Sequence, residues 1–117
     1  MLKMTMNDLT LSVDNSTDTV VMKWIGECSE IDPHESLVPF LNESLTLVQN
    51  QIIIQFQELT FMNSSIIHPL ILFIKNLHQR NVKIQLQYDK NSSWQISSFK
   101  TFKTLFATFT NIEVIEV

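Results

Sequence analysis

Glycine and cysteine each occur once, as Gly26 and Cys28, and there are only three prolines in 117 residues. One cysteine can form neither an internal disulfide nor a cysteine metal cluster. One glycine excludes a glycine-rich phosphate loop and a Gly-x-Ser-x-Gly nucleophile turn. No apolar run approaches the roughly 20 residues needed to span a bilayer. The run Ile66–Ile74 is shorter and contains His68 and Pro69. Met1–Met6 lacks the apolar stretch of a signal peptide, so a cytoplasmic location is expected. Basic residues are also few: eight Lys and Arg face twelve Asp and Glu, for a net charge of −4. That balance argues against nucleic acid, which needs a basic surface, and against an anionic membrane. No repeat, low-complexity tract or linker divides the chain, and one domain over 1–117 is expected.

What is present is globular: 44% of residues are hydrophobic and 17% charged. Leu9, Leu11 and Val13 alternate with polar residues, as do Val20, Met22 and Trp24. Two such runs around Asp14-Asn15-Ser16-Thr17-Asp18 predict a hairpin, with Gly26 ending its second strand. Asp32-Pro33 is a helix-start signal. Beyond it Leu37, Val38, Leu41, Leu45 and Val48 recur at helical spacing, with Pro39 delaying the regular helix. Ile52–Phe56 reads as a central strand. A second helix carries Ile67, Leu70, Ile71, Ile74 and Leu77 and ends near Gln79-Arg80-Asn81, its start distorted by Pro69. Val82–Tyr88 alternates strictly as a strand. Asn91-Ser92-Ser93 caps a third helix with Phe99, Phe102, Phe106 and Phe109 inward, and Ile112–Glu116 closes the chain as a strand.

The predicted order is β-β-α-β-α-β-α-β. Strand–helix–strand units imply parallel pairing. Strands that alternate strictly have one wet face, unlike the doubly covered strands of a doubly wound sheet. The expected fold is therefore α/β, a mixed, mainly parallel open sheet with an N-terminal hairpin and helices mostly on one face.

Leu59-Thr60-Phe61-Met62-Asn63-Ser64-Ser65 leaves a buried strand and enters a helix. A helix N-terminus offers unpaired N–H groups and the positive end of the dipole. A hydroxyl exposed there can accept a phosphate, adding about −1.5 to −2 charges at neutral pH. Phe61-Met62-Asn63-Ser64-Ser65 resembles the Phe-Met-Asp-Ser-Ser segment of STAS domains, the sulphate-transporter and anti-sigma-factor-antagonist family. Tyr88-Asp89, Trp94-Gln95 and Ser98-Phe99 resemble a STAS-like subset with Asn-Ser-Ser at that place, and the order of elements fits along the whole chain. The resemblance implies a regulatory protein-interaction module and not an enzyme. It implies phosphorylation at Ser64, before Ser65, by an anti-sigma-like serine kinase, with reversal by a serine phosphatase. Asn63, Ser64, Ser65, Ile66 and Trp94 would meet the partner. Two departures stand out: Asn63 replaces the family aspartate, and Ile66 replaces the usual glycine. Asn caps helices as well as Asp, but the lost charge and the bulk of Ile66 bear on kinase recognition.

The plainer reading is that Ser64 and Ser65 only cap a helix, worth about 1 kcal/mol. Two rival functions remain. One is a STAS-like small-molecule sensor or a dimerising domain, with a second copy of the chain as partner. The other is a serine hydrolase with His68 as base, although no acidic orienter follows. His34, His68 and His78 are too widely spaced for a metal site, and no cofactor is expected. Trp94 suits an interface anchor or a lid on the core. Cys28 has no basic neighbour and should be inert. Glu27, Glu30, Asp32 and Glu35 form an acidic cluster that suits either a helix dipole or a partner-facing patch.

Overall fold

The computed structural model describes residues 1–29 and 35–117. Among them, six strands form one sheet whose spatial order is the chain order. They are β1 (Leu2–Met6), β2 (Leu9–Asp14), β3 (Thr19–Cys28), β4 (Gln51–Met62), β5 (Lys83–Tyr88) and β6 (Ile112–Glu116). β1, β2 and β3 are antiparallel neighbours, whereas β3 to β6 run parallel. Helices α1 (Leu37–Leu45), α2 (Ile67–Gln79) and α3 (Ser93–Leu105) make the three crossovers. Each crossover steps one strand in the same direction. Right-handed connections stepping one way place successive helices on the same face.

The burial pattern agrees. Leu9, Leu11 and Val13 of β2, Val20, Met22 and Trp24 of β3, Ile52, Ile54 and Phe56 of β4, and Ile84 and Leu86 of β5 are all buried beneath the helices. Their alternating neighbours, such as Lys23, Gln55 and Gln85, stay partly or fully open on the other face. There Gln55 and Gln57 donate to Gln87 Oε1, Gln87 donates to Gln85 Oε1, and Gln85 donates to Glu113 Oε1. This amide chain ties three parallel strands on the uncovered face. On the covered face an aromatic series packs the core. Phe56 lies 5.4 Å from Trp24 and 5.0 Å from Phe99, and Phe99 lies 5.2 Å from Tyr88.

The structure revises the sequence reading in several places. The hairpin gains an outer strand, β1. Its run Leu-Lys-Met-Thr-Met is poor in the β-branched residues that signal strands, and pairing with β2 supplies what propensity does not. β3 does not stop at Gly26 but runs on to Cys28. Gly26 has φ +98°, and a Cβ there would lie 2.0 Å from the Asp8 carbonyl oxygen. Asp32-Pro33 lies outside the described residues, as do Glu30 and His34 of the acidic and histidine sets.

α1 begins at Leu37, so Pro39 falls within its first turn, where its missing N–H costs little. Its buried face is Leu37, Phe40, Leu41 and Ser44, not the single stripe expected. Val38 and Leu45 are only partly buried. Ser44 is tolerated inside because its Oγ donates to the Phe40 carbonyl at 2.8 Å.

α2 is followed, after Arg80, by a left-handed residue, Asn81 (φ 60°). Val82 N–H returns to Leu77 O and Asn81 N–H to His78 O, which satisfies the last carbonyls. Ser92 stands at the α3 N-cap position without a side-chain cap bond, so the expected capping by hydroxyl is absent there.

Candidate functional site

β4 is the longest strand, and its second half departs from regular pairing with β3. Register shifts fall between Lys23 and Ile25 and between Gly26 and Glu27. Pairing with β5 ends at Gln55–Gln87, which leaves the far part of β4 without a strand on that side. Two side chains meet the carbonyls exposed by these bulges. Thr60 Oγ1 donates to Gly26 O at 3.0 Å. Gln95 is almost fully buried, and its Nε2 donates to Phe56 O at 2.7 Å and Leu59 O at 2.8 Å. Its Oε1 accepts the Asp89 N–H at 2.8 Å. One amide thus locks α3 and the loop after β5 onto the end of β4.

That end of β4 carries the candidate site. Asn63 is extended (φ −67°, ψ 141°) and turns the chain out of the sheet. Its N–H donates to Cys28 O at 2.8 Å, its Oδ1 accepts the Ser65 N–H at 3.0 Å, and its carbonyl accepts the Ile66 N–H at 3.1 Å. Ser64–Ile66 form a 3₁₀ turn that leads into α2, and the Ile67 N–H closes onto Ser64 O. Pro69 then sits in the first turn of α2 and is buried. The distorted start expected from that proline is this 3₁₀ turn.

At three residues per turn, Ser64 and Ile66 must face different ways. Ser64 is exposed, Ser65 is half-buried, and Ile66 is wholly buried. Two expectations change. Ile66, expected at the partner-facing rim, belongs to the core, because the tight turn points it under α2. The amides beneath Ser64, expected bare, are largely in use, because the Asn63 side chain and carbonyl take those of Ser65 and Ile66.

Trp94 lies in the first turn of α3, partly buried against the core. Since β4 and β5 are parallel neighbours, the Ser64 turn and the α3 start open at the same end of the sheet. This is the carboxyl end, where open α/β sheets carry their sites. Sequence reading quoted Phe61 within the motif but gave neither it nor Ile96 a partner contact; they are 48% and 43% exposed and add apolar surface at this end. The signal for Phe61 lay in the bulge of β4, which no local pattern encodes. Gln95 was noted only for its resemblance and given no role, because a glutamine in a helix reads as a surface residue until its partners are known.

The other candidates separate from this site. His68 is exposed one turn after Ser64, and among the described residues no hydrogen bond joins the two. His78 Nδ1 meets Asn111 Oδ1, and its ring stacks on Phe109 at 4.3 Å, a packing role. Cys28 is buried at the end of β3. Among the described residues no three His, Cys, Asp or Glu are grouped to hold a metal, and no helix is long and apolar enough to cross a membrane.

No protein-family model matches the sequence, and no curated protein matches it significantly. Solved structures do match the fold. An anti-sigma factor antagonist from Mycobacterium paratuberculosis superposes with a TM-score of 0.67 at 13% identity, over 93% of this chain and 88% of that one. The Bacillus cell fate determinant SpoIIAA in its phosphorylated form gives 0.62 at 21% identity, over 92% of this chain and 90% of that one. The unphosphorylated anti-sigma factor antagonist SpoIIAA gives 0.62 at 21%, over 92% and 87%. The chain therefore has a STAS-like fold, with a mixed, mostly parallel six-stranded sheet and three helices.

Proposed function

We propose that this protein is a regulatory interaction module that works by partner switching, with reversible phosphorylation of Ser64 deciding whether a partner binds. The observation that carries the reading is the exposed Ser64 hydroxyl on the first turn after a central strand. The shared fold supports it. Proteins of this architecture are described as anti-sigma factor antagonists, and SpoIIAA has been solved both with and without phosphate. The partners implied are a serine kinase of the anti-sigma type and a serine phosphatase, in a cytoplasmic setting.

The local geometry shapes the mechanism. A kinase needs an accessible hydroxyl, and Ser64 makes no side-chain hydrogen bond among the described residues that would hold it back. Ser65 is half-buried, which makes its hydroxyl the poorer acceptor. With the amides of Ser65 and Ile66 occupied, the fold offers a new phosphate little to bind. The phosphate stays toward solvent, and its charge acts on whatever faces it. A partner that packs on Asn63, Ser65, Phe61 and the Trp94 end of α3 would have to desolvate that charge, which is costly without a paired cation. Binding without phosphate and release with it follow.

The test is incubation with a candidate anti-sigma-type kinase and ATP, phosphate mapping by mass spectrometry, and partner binding by calorimetry. Phosphate is expected on Ser64, and Ser64→Asp should weaken partner binding at least about tenfold. Phosphate confined to other residues, together with full partner binding by Ser64→Asp, would overturn the proposal.

A further inference from the structure

α1 buries Leu37, Phe40 and Leu41 and leaves Val38 and Leu45 partly open. Val38 and Leu45 face α2 across a groove of about 490 Å³, floored by the buried Leu41 and walled on the far side by residues that include Pro69, Leu72 and Phe73. Leu72 is 52% exposed, an unusual position for a leucine on a helix this apolar. A groove of this size falls in the range that takes small ligands. Its length is bounded by α1, nine residues, or about 13 Å at the helical rise.

Polar groups line the rim: Asn42 from α1, and His68, Lys75, Asn76 and Gln79 from α2. No carboxylate lines it among the described residues, although the chain as a whole carries a charge of −4. Lys75 is the one lysine or arginine there, set beside an apolar trough. An apolar trough with a single cation at its edge selects an apolar body with one negative group.

From this arrangement we infer that the α1–α2 groove is a binding site for a small anionic amphiphile, an aliphatic carboxylic acid. Its chain lies along Val38, Leu45 and Leu72, and its carboxylate meets Lys75. The occupant is a free acid from solution, because the short groove and its lone cation are scaled to one chain and one charge. Ser64 takes no part in the contact, so the site stands or falls separately from the switch.

The experiment titrates ¹⁵N-labelled protein with decanoate, decanol and decyltrimethylammonium, each below its aggregation threshold, and follows backbone amide shifts. Decanoate should give saturable shifts confined to α1 and α2, with decanol weaker and the cation weakest. Lys75→Glu should weaken decanoate about tenfold and leave decanol within about twofold. Leu72→Asp should abolish both. Both residues are exposed, so the fold should persist by circular dichroism, and Lys75→Gln serves the same comparison if Lys75→Glu does not fold. Equal binding of the three probes, shifts centred on the open sheet face, or no effect of Lys75 substitution would overturn the site. So would failure of decanoate while a short acidic amphipathic peptide saturates the same groove, which would make it a surface for a protein helix.

Discussion

Gly26 lies directly against Asp8: a Cβ at position 26 would stand 2.0 Å from the Asp8 carbonyl oxygen. The same carbonyl accepts the Glu27 N–H at 3.1 Å, so the β1–β2 turn and β3 cannot move apart without losing that bond. Gly26→Ala combines a steric clash with an unfavourable positive φ. It should cost about 2–4 kcal/mol. Urea unfolding should show a lower midpoint with an unchanged slope.

Gln95 joins three elements through one amide. Gln95→Ala strands the Phe56 and Leu59 carbonyls and the Asp89 N–H, and it leaves a hole beside Phe56. A loss of about 2–4 kcal/mol is expected. Gln95→Glu is the sharper variant. Burial and two facing carbonyls would hold the new carboxyl in its protonated form, with its folded-state pKa above the ordinary glutamate range. A raised folded pKa means stability present at low pH and lost as pH rises. Gln95→Glu should therefore be closest to wild type in acid and fall behind it toward neutrality, read as denaturant midpoint against pH.

Asn63 and Ser64 should separate in stability measurements. Asn63→Ala removes the Oδ1 that accepts the Ser65 N–H and should cost about 1 kcal/mol. Ser64→Ala should stay within about 0.5 kcal/mol of wild type, because the residue is exposed. If Ser64→Ala lost as much as Asn63→Ala, the hydroxyl would have a structural duty that conflicts with its use as a phosphate acceptor.

Asp14 gives a local check at the β2–β3 turn. Its Oδ1 accepts the Ser16 N–H at 2.9 Å, and that backbone bond, followed by the Ser16 side chain, holds its pKa below the usual 3.8. A lowered folded pKa gives a contribution that is present at neutral pH and fades as pH falls below the ordinary aspartate range. A carboxyl-detected NMR titration should place the Asp14 midpoint in the folded protein below that of the same residue in the urea-unfolded chain. Ser16→Pro, which removes the N–H, should bring the midpoint back up.

Phe99 is the hub of the aromatic core, touching Phe56, Tyr88 and Phe102 with centroid separations of 5.0, 5.2 and 5.2 Å. Phe99→Ala should cost about 3–5 kcal/mol. The loss should exceed that of Leu105→Ala on the same helix, because Leu105 is 41% exposed.

Most of the architecture is legible in the residues because strand and helix periodicities are local. The alternation in Val82–Tyr88 predicts one buried and one open face, and Ile84, Leu86 and Tyr88 are buried as that pattern requires. β1 escaped because its stability comes from pairing across the hairpin, not from its own composition. In the site, the turn from strand to helix at Asn63 was readable from capping chemistry. The inward turn of Ile66 was not, because a 3₁₀ turn and an α-helical turn place the third residue on different sides.

By itself, then, the chain's order of residues settled the kinds of element, their succession from β2 onward, and which strands would have a wet face. These follow from side-chain spacing over a few residues, where chirality and burial leave little choice. Only the tertiary structure decided how β4 bulges against β3, that Gln95 is drawn inside to hold the result, and that α1 leaves Val38 and Leu45 open to a groove. Each of these depends on carbonyls or surfaces contributed by residues some thirty positions away, and no local period carries that information.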